Sequence, residues 1–387
     1  MNACLCRSYL SKSSLKCFLI QQLVRIGLCF CIVTTHAYGA NKEPIRALYI
    51  PLADHYAALV AYERYAPHMQ YADFQLSKMN NWDLLRAHFY EGRADLAFVM
   101  SPLAMDMYRE MGDFRWIGLM HRDGNALAVN EIIAGQLELS PHRKDRTPNQ
   151  DLANAIKNLN SNQLLQLKVG VPHLLSTHSV VLHKYLNSYG LRMDKLPHGG
   201  ADVLIIPQAP PLAPKYILGQ ANRATPAAFE QSLPWADIVE TSGFGKIAWY
   251  SKDVIKWPNG HVECIAIATD RAIASKEQAL REVMTAIHKA GADIEAARER
   301  GGEALEDIVK IVRKHIPSHS REAIVASLDP ELKVINYKHL NIDKAGLAHI
   351  MGLAVQANIL SEPIDIDAFS DPNFYVNLTQ QGCCIDE

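Results

Sequence analysis

The stretch that decides the fold reads LKVGVPHLLSTHS at 167–179 and continues with helical spacing to Gly190. Its first five residues alternate between apolar and other residues, the period-2 pattern of a short strand. After the loop, apolar residues recur at the spacing of an amphipathic helix. Ser176 or Thr177 can cap the start of that helix, and Gly190 can end it. The stretch therefore predicts a strand that feeds a helix, as in an α/β fold.

The first turn of this predicted helix carries the Thr177 hydroxyl and the His178 imidazole. The free N–H groups and the positive end of the helix dipole favour an anion at such a place. We therefore predict that Thr177 and His178 bind a small ligand. The alternative is an ordinary capped helix, because Ser and Thr are common N-caps.

The composition indicates a globular protein with room for two core-bearing units. The chain has 387 residues, of which 49% are hydrophobic and 21% are charged, and its formal net charge is −2. A chain of this length typically forms more than one domain. No basic stripe or Lys/Arg run is present, so the sequence predicts no nucleic-acid partner.

The first 39 residues predict a secretory signal peptide that is cleaved near Gly39. They contain no Asp or Glu, and a short apolar run at 26–35 precedes the small-x-small sequence AYG at 37–39. The apolar run is too short for a membrane span, which takes about 20 residues. We expect export to the periplasm; the alternative is an anchor that is never cut.

Cysteine usage after residue 39 predicts neither a disulfide framework nor a metal site. Only Cys264, Cys383 and Cys384 remain, and their spacing lacks the paired C-x-x-C of zinc sites. The sequence therefore predicts no bound metal and no cofactor.

Short strands and helices alternate along the chain, which predicts parallel α/β lobes. Asp54 and His55 follow the first predicted strand, 45–50, at the end where open α/β sheets bind ligands. Ser101 begins a helix directly after the buried strand 95–100. The sequence predicts a signal peptide at 1–39, lobe 1 at 40–133, lobe 2 at 134–262, a return to lobe 1 at 263–330, and a helical C-terminal extension at 331–387.

Several short motifs, in order, resemble those of periplasmic substrate-binding proteins of ABC importers. The motifs are YIPLAD at 49–54, WDLLR at 82–86, GRAD at 92–95, SPL at 101–103, DGNA at 123–126, STH at 176–178, LPW at 233–235 and IDIDAF at 364–369. The chain is similar to the NMT1/THI5-like group, whose members serve nitrate, bicarbonate, sulfonates and thiamine precursors.

This resemblance implies a two-lobed, type II-like binding protein that closes about a hinge, with a helical C-terminal region. Trp82, Asn125, Thr177 and His178 match positions at which nitrate- and bicarbonate-type members contact a small anion. Ser101 stands at the facing helix start. Trp82 could instead be a plain core aromatic, because tryptophans are highly buried on average.

Two features depart from the family pattern. Asn222 stands where the family usually has Asp, and QSLPW at 231–235 replaces a Gly-Glu-Pro-Trp run, so Trp235 is not predicted as a contact. Glu263 lies in the segment that returns between the lobes. In a cleft it would repel a bare anion and suit an amine, or an anion bound with a cation such as Ca²⁺; otherwise it is an exposed hinge glutamate. The sequence leaves two interpretations of His55 and His121: they contact the ligand, or they are solvated loop residues.

The resemblance implies a non-enzymatic, monomeric protein that captures a small anionic or zwitterionic ligand. Its partner would be an ABC permease in the inner membrane. One alternative is a sensor component that signals to a membrane partner. Another is a thiamine-pyrimidine-synthesis enzyme on the same fold, but that family uses a cysteine-rich iron motif, which Cys264 alone does not supply.

Overall fold

The computed structural model describes residues 42–161, 166–196 and 200–378. The predicted signal peptide and the pair Cys383 and Cys384 lie outside these residues. The strands, in chain order, are β1 (Glu43–Tyr49), β2 (Ala72–Lys78), β3 (Leu96–Met100), β4 (Phe114–Leu119), β5 (Arg122–Asp123), β6 (Asn125–Asn130), β7 (Leu167–Val171), β8 (Met193–Asp194), β9 (Val203–Pro207), β10 (Ala227–Ser232), β11 (Gly245–Tyr250), β12 (Cys264–Thr269) and β13 (Ile335–Asn336).

Helices connect and cover these strands, as the alternating pattern predicts for an α/β fold. The α-helices are Tyr56–Arg64, Trp82–Tyr90, Ser101–Met111, Glu131–Ala134, Gln150–Ser161, Thr177–Ser188, Ala213–Ala221, Trp235–Thr241, Ser251–Val254, Asp270–Arg300, Gly302–His315, Arg321–Ser327, Lys344–Gln356 and Ile366–Phe369. Short 3-10 turns join some of them, including Ala53–His55 after the first strand.

The first sheet has the strand order β2-β1-β3-β12-β4. Strand β1 pairs in parallel with β2 and with β3, whereas β12 runs antiparallel to both β3 and β4. The first four strands, β1 to β4, thus run in one direction as predicted, whereas the returning strand β12 runs against them, which was not predicted. The physical reason is that β12 enters from the second lobe and inserts between two strands that run the other way.

The second sheet has the strand order β11-β6-β10-β7-β9-β8. Strands β10, β7, β9 and β8 are parallel neighbours, and β6 runs antiparallel to β10 and β11. Strand β6 thus belongs to this sheet although only the two-residue strand β5 separates it from the first-sheet strand β4 along the chain. The molecule is a two-lobed α/β protein, and the lobe boundaries at 133/134 and 262/263 stay a prediction.

The C-terminal region contacts elements of both lobes. Helix Lys344–Gln356 packs against Ser101–Met111 of the first lobe and against Thr177–Ser188 of the second. Strand β13 pairs with β5, which lies along the chain between β4 of the first sheet and β6 of the second. Among the described residues, no helix combines the length and the apolar character that a bilayer span requires.

Candidate ligand-binding site

Three acidic or hydroxyl side chains meet at one edge of the first sheet. Asp54 and His55 lie in the 3-10 turn that follows β1, and Ser101 begins the helix that follows β3. Glu263 directly precedes β12, which is antiparallel to β3, so the start of β12 lies beside the end of β3. The Ser101 N–H accordingly donates to the Glu263 carbonyl at 2.9 Å. The strand directions thus place side chains distant in sequence at one edge.

The second sheet contributes a facing set of polar side chains. Glu230 and Ser232 are alternate residues of β10 and lie on one face of the sheet. Asn125 of β6 pairs directly with Ser232 across the ladder. His178 lies in the first turn of the helix after β7, where the predicted Ser176 cap accepts a hydrogen bond from the Ser179 N–H at 3.0 Å.

The two sets are joined by hydrogen bonds through Ser232. Its hydroxyl donates to Asp54 Oδ2 at 2.9 Å and lies 3.0 Å from His178 Nε2. The backbone makes a parallel link, since the Ala53 N–H donates to the Leu233 carbonyl at 2.8 Å. The edges of the two sheets are therefore in direct contact at a polar site.

His121 stands between the two carboxylates of the first lobe. Its Nε2 lies 3.1 Å from Glu263 Oε2 and 3.4 Å from Asp54 Oδ2, and all three side chains are fully buried. Burial alone would lower the pKa of His121, but the Asp54 and Glu263 carboxylates outweigh burial and raise that pKa to about 10. Burial opposes ionisation of Asp54 too, but the His121 imidazolium leaves the pKa of Asp54 below its usual range.

Burial shifts the pKa values of the other titratable groups of the site toward their neutral forms. Burial raises the pKa of Glu263, and it raises the pKa of Glu230 well above its usual range, with a further contribution from the charges of Glu263 and Asp54. Burial lowers the pKa of His178 to about 3 and that of His55 to about 4. The site thus concentrates acidic side chains in a place where isolated negative charge is unfavourable.

Many buried polar atoms of the site have no hydrogen-bond partner among the residues that the structure describes. They are Asp54 Oδ1, Ser101 Oγ, both amide atoms of Asn125, His178 Nδ1, both carboxyl oxygens of Glu230, and Glu263 Oε1. Each buried atom of this kind costs about 1–3 kcal/mol, so such groups are uncommon in folded proteins. Both sheets contribute, which is the arrangement of a site that contacts a ligand from two sides.

One subset of these side chains has the donor atoms of a metal site. We call Asp54, His121, Glu263 and Cys264 the mixed-donor cluster; one ligand atom from each lies within 4.8 Å of those of the others. His55 supports the cluster, because its Nε2 lies 3.2 Å from Cys264 Sγ and its Nδ1 lies 2.8 Å from the Ile50 carbonyl. Spacing in the sequence did not predict this cluster, because its members come from three separate segments.

The structure buries all eight side chains that the sequence predicted for the site. Asp54, Ser101, Asn125, His178 and Glu263 converge as described, and Thr177 begins its helix beside Glu263. The alternatives of an exposed Glu263 and a solvated His55 or His121 are wrong, since each side chain is fully buried. The role of these residues in binding stays a prediction.

The contacts of Trp82 and Trp235 are those of residues that stabilise the fold. The Trp82 ring packs edge-on against His55, with centroids 6.2 Å apart. The Trp235 indole N–H donates to the Pro51 carbonyl at 2.9 Å, so it links the lobes through the backbone. Trp82 therefore adjoins His55, which in turn contacts Cys264 of the mixed-donor cluster.

Sequence reasoning did not select Glu230, Ser232 or Cys264 as site residues, and it left His121 open as either a ligand contact or a solvated loop residue. A signal for His121 was present, because HRD at 121–123 and HVE at 261–263 repeat a histidine two residues before an acid. Glu230 follows AAF at 227–229, and an acid beside an apolar run is an exception to ordinary strand patterning. Both signals indicate buried acids and their partners.

The chain is a two-lobed α/β protein with this polar site between its two sheets. The profile of the NMT1-like family matches residues 39–308, and the chain belongs to that family. No curated protein matches the sequence.

Solved structures share the fold. One is the ligand-binding component of an ABC-type import system from Staphylococcus aureus with zinc bound, at 18% identity and a TM-score of 0.66, covering 86% of this chain and 98% of that one. Another is the periplasmic nitrate-binding protein NrtA from Synechocystis PCC 6803, at 14% identity and a TM-score of 0.70, covering 86% and 87%. A third is the alkanesulfonate-binding protein SsuA from Xanthomonas axonopodis pv. citri bound to MOPS, at 12% identity and a TM-score of 0.60, covering 86% and 99%. At these identities the likeness concerns the fold.

Proposed function

We propose that this chain is an extracytoplasmic solute-binding protein that captures a small ligand between its lobes and delivers it to an ABC importer. The observation that carries the proposal is the set of buried polar atoms without partners, which both sheets contribute at one place. A ligand that satisfies them would offset the cost of burying them. The side chains that bind it are those of Asp54, Asn125, His178, Glu230 and Glu263.

The charges of the site narrow the predicted ligand class. Asp54 and Glu263 are fully buried within one site, and a bare anion placed beside their carboxylates would be repelled. A zwitterion could place its ammonium group there, and an anion could enter together with a cation. Both possibilities agree with the presence of Ser101 and Asn125 in the same site, because these side chains can donate hydrogen bonds to the negatively charged group of the ligand.

The cellular setting in this proposal is the periplasm, with an ABC permease in the inner membrane as partner. Support comes from the signal-like first 39 residues and from the family. We propose a monomer without enzymatic activity. The solved structures that share the fold are named as binding proteins, and the proposal extends that role to this chain.

The test is ligand-dependent thermal unfolding of the purified protein after refolding to remove carried-over ligand. The panel contains nitrate, bicarbonate with and without Ca²⁺, taurine, alkanesulfonates, pyrimidine precursors and divalent metal chlorides. A ligand at 100 times its dissociation constant stabilises the protein by about 2.7 kcal/mol. Native mass spectrometry of the protein before refolding identifies any solute that the panel omits.

The matched variants are Glu230→Gln in the site and Glu138→Gln on the surface. The stabilisation should be reduced in Glu230→Gln and unchanged in Glu138→Gln. If neither the panel nor native mass spectrometry shows a bound solute, the proposed function is wrong. If a solute binds and both variants respond alike, the solute binds elsewhere.

A further inference from the structure

We propose that the mixed-donor cluster binds a divalent transition-metal ion of the zinc type, which supplies the positive charge that the site requires. This inference rests on the proposed function and names the ligand of the same site. The members of the mixed-donor cluster come from the turn after β1, from the segment after β4, and from the start of β12.

The spacing of the donor atoms suits a four-coordinate ion. Zinc lies about 2.0–2.3 Å from nitrogen, oxygen and sulfur ligands, so neighbouring ligand atoms in a tetrahedron are about 3.3–3.7 Å apart. His121 Nε2 lies 3.4 Å from Asp54 Oδ2 and 3.1 Å from Glu263 Oε2. Small side-chain movements toward a common centre would complete the set, because all four donor atoms already lie within 4.8 Å of one another.

The donor types favour zinc over the hard cations. Ca²⁺ and Mg²⁺ bind oxygen ligands, and Ca²⁺ takes six to eight of them. Here an imidazole nitrogen and the Cys264 sulfur stand beside two carboxylates. Imidazole and thiolate are ligands of zinc and of neighbouring transition metals. The cluster therefore selects this class of ion by its chemistry.

The surroundings orient the donor atoms as metal sites require. The Ser232 hydroxyl donates to Asp54 Oδ2 at 2.9 Å. The other ring nitrogen of His121 lies 3.4 Å from the Arg122 carbonyl, which leaves Nε2 directed at the carboxylates. Hydrogen bonds of this kind fix the orientation of metal ligands. Within the described part of the chain, Asp54 Oδ1 and Glu263 Oε1 have no hydrogen-bond partner, so both carboxylates retain oxygen atoms that can coordinate.

The ion would also balance the buried acids. Asp54, Glu230 and Glu263 place three fully buried acidic side chains in one site. A buried carboxylate needs a partner of opposite charge or a full set of hydrogen bonds. A divalent cation meets this need for two carboxylates at once.

The experiment uses protein in which the other seven cysteines, at positions 4, 6, 17, 29, 31, 383 and 384, are changed to serine. Cys264 is then the sole thiol that can bind a metal. After treatment with a chelator, the protein is titrated with ZnCl₂ by calorimetry and with CoCl₂ by absorption spectroscopy. We expect one ion per chain, and a thiolate-to-cobalt charge-transfer band with the strong visible bands of tetrahedral Co²⁺.

Variants assign the ligands. Cys264→Ser should remove the charge-transfer band, and His121→Gln should weaken zinc binding by more than about 100-fold, beyond what outer-shell changes cost. Ser232→Ala should weaken it by about 10–100-fold, because only the orientation of Asp54 changes. The matched control is His261→Gln. This histidine is also buried beside an acid, with Nε2 3.5 Å from Asp123 Oδ1, but lies outside the cluster.

The outcomes separate this inference from the proposed function. Absence of the charge-transfer band in the parent protein, or zinc binding that survives Cys264→Ser and His121→Gln unchanged, overturns the metal site. The parent spectrum decides this even where a variant fails to fold. If zinc does not bind but an organic solute from the panel does, the metal site is wrong and the solute-binding function stands. If nothing binds, both are wrong.

Discussion

His121 and Glu263 face each other across the two segments by which the chain passes between its sheets, with His121 Nε2 3.1 Å from Glu263 Oε2. The contact follows from backbone register. Arg122 and Val262 form an antiparallel bridge, so the residues that flank them lie opposite one another. The crossing segments therefore carry part of the binding site themselves.

A second acid–imidazole pair lies at the other end of this bridge. The backbone N–H of His261 donates to Asp123 Oδ1 at 2.8 Å, and the ring Nε2 of His261 lies 3.0 Å from the Ser251 hydroxyl. Asp123 adopts a positive φ of 56°, and Gly260 beside it has a φ of 90°. The two segments that join the sheets thus adopt a specific backbone conformation, and substitutions that change this conformation should also alter the candidate site.

Gly260→Ala is predicted to destabilise the protein and to weaken ligand binding. An L-residue in the left-handed region costs about 1–2 kcal/mol. The added methyl group would also press on the Asp123 carboxylate. Urea unfolding measures the first effect, and the ligand-induced thermal shift measures the second.

The control for this variant is Gly219→Ala. Gly219 lies in the helix Ala213–Ala221 with open space around it, so alanine should stabilise the protein by up to about 1 kcal/mol. Equal effects of the two substitutions would contradict the role assigned to the crossing.

Glu230→Gln is predicted to reduce the loss of stability at alkaline pH. Burial raises the pKa of Glu230 well above its usual range, so the folded protein keeps a proton that the unfolded chain releases above about pH 4.5. Its contribution to stability is complete below that pH and is lost as the pH rises toward the raised value. The wild-type free energy of unfolding should therefore fall between pH 5 and 8 by up to about 1.4 kcal/mol per pH unit more than that of Glu230→Gln.

Urea unfolding at several pH values, without added ligand, measures this difference. The exposed-site variant Glu138→Gln should keep the wild-type slope. Parallel curves for Glu230→Gln and wild type would show that Glu230 is ionised in the folded protein, which would contradict the raised pKa of this side chain.

Local pattern in the sequence was sufficient for many elements. The strand at 167–171 has the predicted ends, and Ser176 caps the helix that follows it, because apolar periodicity and capping residues are local signals. Such features depend on residues within a few positions of one another.

Long-range pairing could not be predicted in this way. His121 and Glu263 are 142 positions apart, and their contact depends on the register of two crossing segments. The antiparallel direction of β12 depends on the path of the chain through the second lobe. Burial of Glu230 likewise depends on which sheet covers its strand, so the mixed-donor cluster was outside the reach of sequence spacing.

Asn81→Ala is predicted to lower the free energy of unfolding by about 1 kcal/mol. The Asn81 side chain accepts a hydrogen bond from the Leu84 N–H at 2.8 Å at the start of the helix Trp82–Tyr90. Asn81→Asp retains an acceptor and adds a negative charge at the positive end of the helix, so it should keep wild-type stability. Urea unfolding compares the three proteins, and equal loss in both variants would refute the capping role.

His319→Phe is predicted to reduce the loss of stability in mild acid. His319 is fully buried, its Nδ1 lies 2.9 Å from the Tyr56 hydroxyl, and its ring packs edge-on against Trp235 with centroids 4.7 Å apart. Burial lowers the pKa of His319 to about 3. The unfolded chain binds a proton near pH 6.5, so the stability that neutral His319 contributes is complete above that pH and is lost as the pH falls toward 3.

From pH 7 to pH 5 this loss amounts to about 2 kcal/mol, and urea unfolding of His319→Phe should show a decrease smaller by that amount. Tyr56→Phe is the matched control, because it removes the hydrogen bond but keeps the titrating imidazole. It should be less stable than wild type at both pH values with the same decrease between them. A wild-type decrease in His319→Phe would mean that His319 is protonated in the folded protein, since only then would removing it leave the acid response unchanged.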